Sequence, residues 1–229
     1  MVSYIILGVL LAFLIFVFSH FRPAATKKIT DNLYTVNSGF VNFYALSTTD
    51  GVVLFDIGMN AAFAKRGMKK LGISPDAVTH IFMTHTDFDH IGGLSAFPAA
   101  ALYISNAEEQ MINGQTARRG FMRNKRLKSY NTMKDGEIFT VGNTTIQLHP
   151  APGHTPGSSV YMIDNRILVT GDLLRISKKG MIKPFLRLMN MNHRQDIESV
   201  EAQRGLTDEA EYILTGHTGY FYNALKKRR

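Results

Sequence analysis

The chain contains no cysteine among its 229 residues. That excludes disulfides and thiolate metal sites, and it also excludes attachment of a lipid to a cysteine near the N-terminus. The redox compartment stays open, because a cysteine-free chain suits either environment. Any bound metal must be held by His, Asp or Glu. Acidic residues are also few beside basic ones, 18 against 26, which gives a formal net charge of +8. Such an excess speaks to partners and not to fold. It gathers in Arg118, Arg119, Arg123, Lys125, Arg126 and Lys128, and in the tail Lys226-Lys227-Arg228-Arg229. Two readings stay open: a solvated surface with a basic terminus, or a positive rim that attracts an anionic substrate or anionic lipid headgroups.

Charge is missing altogether from Val2 to Phe18, where only Ser3, Tyr4 and Gly8 dilute Ile, Leu, Val and Phe. Extended to Phe21, the run approaches the ~20 residues that cross a bilayer. No Lys or Arg precedes it, and Pro23-Ala24-Ala25 is a poor cleavage site, so a removable signal peptide is disfavoured. With no polar face to orient it, the run does not suit a half-buried core helix either. These features predict one transmembrane helix over 1–21, a basic linker over 22–28, a folded domain over 29–225 and a basic tail over 226–229. Arg22, Lys27 and Lys28 on the far side of the run lean toward a cytoplasmic domain by the positive-inside rule.

Beyond residue 28 the pattern alternates between short strands and helices. Asn32–Val36, Val41–Ser47 and Val52–Asp56 read as strands, with Asp50-Gly51 as a hairpin turn. Ala61–Leu71 reads as a helix closed by Gly72. Val78–Met83 and Ala101–Ile104 are further strands, and a helical stretch starts at Asn106. Two hairpins follow, Gly136–Val141 with Thr144–Leu148, and Val160–Ile163 with Ile167–Thr170. Gln195–Arg204 reads as a helix and Tyr212–Leu214 as a last strand. Strands in two batches with helices between them suit an α/β fold of two stacked sheets under outer helices. The polar, basic stretch from Asn113 to Asn131 reads either as a mobile lid or as a surface helix.

The chemistry concentrates at strand ends. Thr84-His85-Thr86-Asp87-Phe88-Asp89-His90 follows the apolar Ile81-Phe82-Met83 and sets four metal-ligating side chains within six positions. Gly153-His154-Thr155-Pro156-Gly157-Ser158, Thr170-Gly171-Asp172 and Thr215-Gly216-His217 come later in the chain, and Asp56-x-Gly58 comes earlier. In order and spacing these resemble the motifs of the metallo-β-lactamase superfamily, from about Ile29 to Tyr222. The resemblance implies a four-layer αββα sandwich and a binuclear site. One divalent metal would take His85, Asp87 and His154, and the other Asp89, His90 and His217, with Asp172 between them. Zinc is the expected metal, with iron or manganese as alternatives.

Asp87 departs from the family pattern, which has His at that position. A carboxylate there is a harder, negative ligand that tilts preference toward iron or manganese. A chain in which Asp87 does not ligate, leaving a single metal at Asp89, His90 and His217, stays open. The implied activity is hydrolysis by a metal-bound hydroxide of an ester, thioester, lactone or phosphodiester, with Asp89 orienting the nucleophile or shuttling a proton. Iron-dependent redox chemistry and a nuclease-type reaction are the alternatives, so both a small anionic molecule and nucleic acid stay open as partners. His20, His80, His149 and His193 read as structural or surface residues. The sequence leaves the oligomeric state open.

Overall fold

The alternating burial of successive strand residues organises the molecule. In a computed structural model, which describes residues 8, 11, 15, 16 and 19–226, two sheets stack through one face each. The first runs β1 (Lys27–Lys28), β2 (Leu33–Ser38), β3 (Val41–Thr48), β4 (Gly51–Phe55), β5 (Val78–Phe82), β6 (Ala101–Ser105) and β7 (Asn131–Met133), side by side in chain order. The second contains β8 (Ile138–Val141), β9 (Thr144–Pro150), β10 (Ser159–Ile163) and β11 (Ile167–Gly171). After a separate ribbon, β12 (Leu174–Ile176) with β13 (Ile182–Pro184), that sheet is completed beyond β11 by β14 (Tyr212–Thr215) and β15 (Gly219–Tyr222).

Val53 and Phe55 of β4 join Leu33, Tyr44, Phe82, Leu148, Tyr161 and Leu214 in the core between the sheets. Their neighbours Val52 and Leu54 turn the other way, onto Ala64 and Met68 of helix α1 (Ala61–Leu71). This is the period-two alternation of strands covered on both faces. Asn60 caps α1 by accepting from Phe63 N, and Gly72 ends it at φ 71°. Two one-turn helices follow, α2 (Phe88–Ile91) and α3 (Glu109–Ile112). Beyond the second sheet lie α4 (His193–Ala202) and α5 (Arg204–Glu209), with Val200 and Leu206 packed onto Val160, Leu168 and Ile213. The four-layer αββα order expected from the resemblance is the order observed.

The N-terminal region differs from expectation at residues 21–28. The transmembrane helix expected over 1–21 falls mostly outside the described residues, and among those no helix is long and apolar enough to cross a membrane. Phe21, expected as the last residue of an anchor outside the domain, is only 7 % exposed and clusters with Phe185. The 22–28 stretch, expected as a linker, is knitted into the domain by its own backbone. Arg22 N donates to His217 O at 2.7 Å, Ala24 N to Asn42 Oδ1 at 2.7 Å, and Lys27–Lys28 pairs with β2. The basic stretch from Asn113 to Asn131, read as a lid or a surface helix, forms no helix and carries one β-bridge, between Arg119 and Met122. Its Gly114 and Gly120, both at positive φ, break helical continuity.

Candidate metal centre

Every ligand-bearing loop leaves its sheet at one edge. Strand β4 runs parallel to β5, and β11 parallel to β14, so their C-terminal ends open on the same side. Asp56 follows β4, Thr84 to His90 follow β5, Asp172 follows β11, and His217 lies in the turn between β14 and β15. His154 sits in the loop between β9 and β10. The seven residues singled out in the sequence converge there. Ligand atoms of His85, Asp87 and His154 lie within 4.8 Å of one another, as do those of Asp89, His90 and His217, and those of His85, His90 and Asp172. Asp172 stands between the two outer groups, with Oδ2 3.2 Å from His217 Nε2 and 3.5 Å from His154 Nε2.

The imidazoles are held from behind. His90 Nδ1 donates to Asp56 Oδ2 at 2.8 Å, and His217 Nδ1 donates to the carbonyl of Phe40 at 2.8 Å. His154 Nδ1 meets Asn190 Oδ1 at 3.2 Å, and His85 Nδ1 meets Thr84 Oγ1 at 3.0 Å. Each Nε2 is thereby turned inward with its lone pair available. His85 Nε2, His90 Nε2 and Asp172 Oδ1 are buried without a hydrogen-bond partner. Buried polar atoms are rarely left so, and three aimed into one space fit a divalent cation. Gly216 lets the chain pass close by, since a Cβ there would lie 2.5 Å from Asp172 Oδ1 and 2.9 Å from His90 Cε1.

The electrostatics agree. Burial would lower the His90 imidazole, but Asp56, Asp172 and Asp89 outweigh it and bring it up to about 10. Burial likewise opposes ionisation of Asp172, yet His217 and His90 hold it well below the usual carboxylate range. His85 is pushed well down, first by burial and then by His90 and His154, and so stays a neutral ligand. Asp89 is moved the other way, raised chiefly by burial. The buried carboxylates thus draw positive charge toward His90 and His217 while His85 is held neutral, the electrostatics of a pocket that attracts cations.

Asp87 is near the first group but is already engaged. Arg118 Nε lies 2.9 Å from its Oδ1 and 2.7 Å from its Oδ2. Burial works against ionisation of Asp87, but His154, His85 and Arg118 hold it far below the usual range. Asn124 Nδ2 donates to Thr86 O at 2.9 Å and reaches Asp87 Oδ1 at 3.2 Å. The basic stretch therefore crosses the first ligand loop through two of its residues. Arg123, by contrast, donates to Gly114 O within that stretch.

Glu108 was not singled out in the sequence. Fully buried, it accepts from Thr86 N and Thr86 Oγ1 at 2.7 Å and from Thr155 Oγ1 at 2.7 Å, tying the first ligand loop to the second. Burial pushes its carboxyl up to about 7, against those three bonds. A Cβ at Gly157 would fall 2.0 Å from Glu108 N, so only glycine lets the second loop seat there. The spacing Ser105-x-x-Glu108 carries a capping signal, and Ser105 Oγ does accept from Glu108 N at 3.1 Å. His80, read as structural, stacks between Tyr103 and Phe82 at 5.9 and 6.4 Å.

The sequence model of the metallo-beta-lactamase superfamily matches residues 36–217. A Bacillus subtilis protein named as a probable metallo-hydrolase, YqgX, is 27 % identical over 77 % of this chain and 84 % of its own. The hydroxyacylglutathione hydrolase of Brucella anthropi is 32 % identical over 50 % of this chain and 39 % of its own. Among solved structures, the subclass B3 metallo-beta-lactamase BJP-1 of Bradyrhizobium japonicum superposes with a TM-score of 0.66 at 21 % identity, covering 85 % of this chain and 78 % of its own. That likeness is one of fold.

Proposed function

The chain belongs to the metallo-β-lactamase superfamily, and on that premise we propose that this hydrolase cleaves an ester, thioester or lactone bond in an anionic acyl substrate. The observation that carries the reading is the set of four imidazoles whose Nδ1 atoms are engaged from behind while Nε2 faces one negative pocket. Asp89, His90 and His217, with Asp172 beside them, would hold a divalent cation, and His85, Asp87 and His154 form a second ligand group next to it; zinc is the first expectation. Cations bound there supply Lewis acidity and a water activated near neutral pH.

The protein's own groups do the rest. Asp89 is 8 % exposed, its Oδ2 lies 3.4 Å from His217 Nε2, and burial makes it a stronger proton acceptor than an ordinary carboxylate. It takes and returns the proton that hydrolysis moves. Asp56 and the Phe40 carbonyl fix the rings of His90 and His217, and Glu108 fixes the spacing of the two ligand loops. The relative named as a hydroxyacylglutathione hydrolase supports an acyl substrate. The net charge of +8 supports an anionic one. The uncharged run Val2–Phe18 supports tethering of the domain to a membrane, on its cytoplasmic side by the flanking charges.

The test is metal analysis of the purified protein joined to a screen of model ester, thioester, lactone and phosphodiester substrates. Turnover of an acyl substrate that disappears on chelation and returns with Zn²⁺ is the expected result. Metal-dependent turnover confined to phosphodiesters would overturn the acyl assignment. KM for the best anionic substrate should rise with ionic strength as attraction is screened.

A further inference from the structure

We infer that Arg118 is the resident cation of the His85–Asp87–His154 group, so that this chain takes one divalent cation tightly, at Asp89, His90, His217 and Asp172, and uses a guanidinium as its second positive charge. The inference rests on the metal-hydrolase reading of the same site. Its ground is geometric. Arg118 belongs to the basic stretch, yet its side chain is 10 % exposed and ends among ligand atoms. Nε addresses both oxygens of Asp87, at 2.9 and 2.7 Å. Nη2 donates to Met189 O at 2.7 Å and lies 3.1 Å from His154 Nε2. With Asn190 Oδ1 accepting from His154 Nδ1, the Nε2 lone pair that would bind a metal is free to accept from Arg118 instead. Nη1 is buried without a partner, as is His85 Nε2, the third donor of the group.

Charge balance gives the same answer. A first site with His at position 87 would be neutral and would offer no charge to offset the burial of a guanidinium. Asp87 makes it singly negative, which one guanidinium neutralises while matching the carboxylate's two oxygens. The other group carries the two carboxylates of Asp89 and Asp172, whose only ion-pair partners among the described residues are histidines. That pair suits a divalent cation. The departure of Asp87 from the family pattern and the burial of Arg118 are then two halves of one arrangement. A second metal must displace Arg118 to bind.

The experiment titrates the metal-stripped full chain with Zn²⁺ alone, read by calorimetry and by metal content after desalting. Wild type should retain about one equivalent, and Arg118→Ala should bind a second at least about tenfold more tightly than wild type does. Far-UV circular dichroism and a melt check folding, and Arg118→Gln, which keeps length without charge, serves if the alanine variant fails to fold. Arg119→Ala is the control, because Arg119 donates to Leu188 O and touches no member of the group. It should keep the wild-type stoichiometry. Two tight equivalents in wild type, unchanged at Arg118, would overturn the inference while leaving the metal-hydrolase reading intact. An equal gain in Arg119→Ala would overturn it as well, since the effect would then come from loosening the stretch. No Zn²⁺ binding by any variant would overturn both.

Discussion

Asp56 holds His90 from behind at 2.8 Å while its other oxygen accepts from Thr84 N at 2.8 Å, so one buried carboxylate fixes both a ligand ring and the start of the ligand loop. It does so from a left-handed backbone, φ 57°, which Asp and Asn tolerate better than other side-chain-bearing residues. Asp56→Asn should keep most of the stability and Asp56→Ala should lose more of it. The alanine leaves His90 and Thr84 unpartnered in the interior, a loss of about 3 kcal/mol. The asparagine should melt closer to wild type but bind Zn²⁺ about 10- to 100-fold more weakly, as expected when a group behind a ligating His is changed. Wild-type metal affinity in Asp56→Asn would refute this role.

The ligands themselves make a plainer prediction. His217→Ala and Asp172→Ala should each reduce retained Zn²⁺ below about half an equivalent, and activity should fall by more than about a hundredfold. Chelation of wild type should lower the melting temperature, because the cation relieves repulsion between the buried carboxylates of Asp89 and Asp172. Metal analysis and a melt with and without chelator check both. A chelated protein that melts at the same temperature would remove metal from the stability argument.

Much of this centre is legible in the sequence, because the superfamily's ligands follow strand ends and strand ends show in apolar runs. His85, Asp89, His90, His154, Asp172 and His217 meet where their order implied, and Ala61–Leu71 with Gly72 is the helix its composition predicted. The contacts that support the ligands are illegible for a physical reason, even where a motif marks the residue, as Asp56-x-Gly58 does. Asp56 reaches His90 across 34 positions, Glu108 reaches Thr155 across 47, and Arg118 reaches His154 across 36. Such contacts follow from tertiary packing, which local periodicity does not encode. Asp87 shows both sides: its departure from the pattern was readable, but its arginine partner was not.

Glu108 should leave a pH signature. Its folded value, about 7, exceeds the ordinary 4.5, so between these the native chain holds more proton than the unfolded one. The stabilisation is therefore fully present below about 4.5 and is lost as pH rises through about 7. Glu108→Gln cannot ionise and should flatten that part of the profile. The difference in unfolding free energy between wild type and variant, at matched metal content, should drift against wild type from pH 5 to pH 8, values chosen as roughly bracketing the shifted group. A difference constant across that range would mean Glu108 ionises as freely as in the unfolded chain.

Phe21 tests where the domain begins. Its ring stacks on His217 at 4.1 Å between centroids and on Phe185 at 6.2 Å, and it sits one residue before the Arg22 N–H that donates to the His217 carbonyl. Arg22 Nη2 adds a bond to Ile176 O at 2.9 Å. The N-terminal stretch thus forms one wall of the ligand it passes. A chain starting at Ser19 keeps these contacts, whereas one starting at Lys27 loses them all, although both lack the uncharged run. The longer chain should melt as the full-length protein does. The shorter should lose stability on the scale of Phe21→Ala, about 3 kcal/mol for a buried aromatic, and should bind Zn²⁺ more weakly because His217 loses its packing. Membrane partitioning tests the proposed tether separately: full-length protein should sediment with membranes in high salt, and both shorter chains should stay in solution. Equal melting and equal Zn²⁺ affinity for the two truncations would show that Phe21 only covers the site and does not support it.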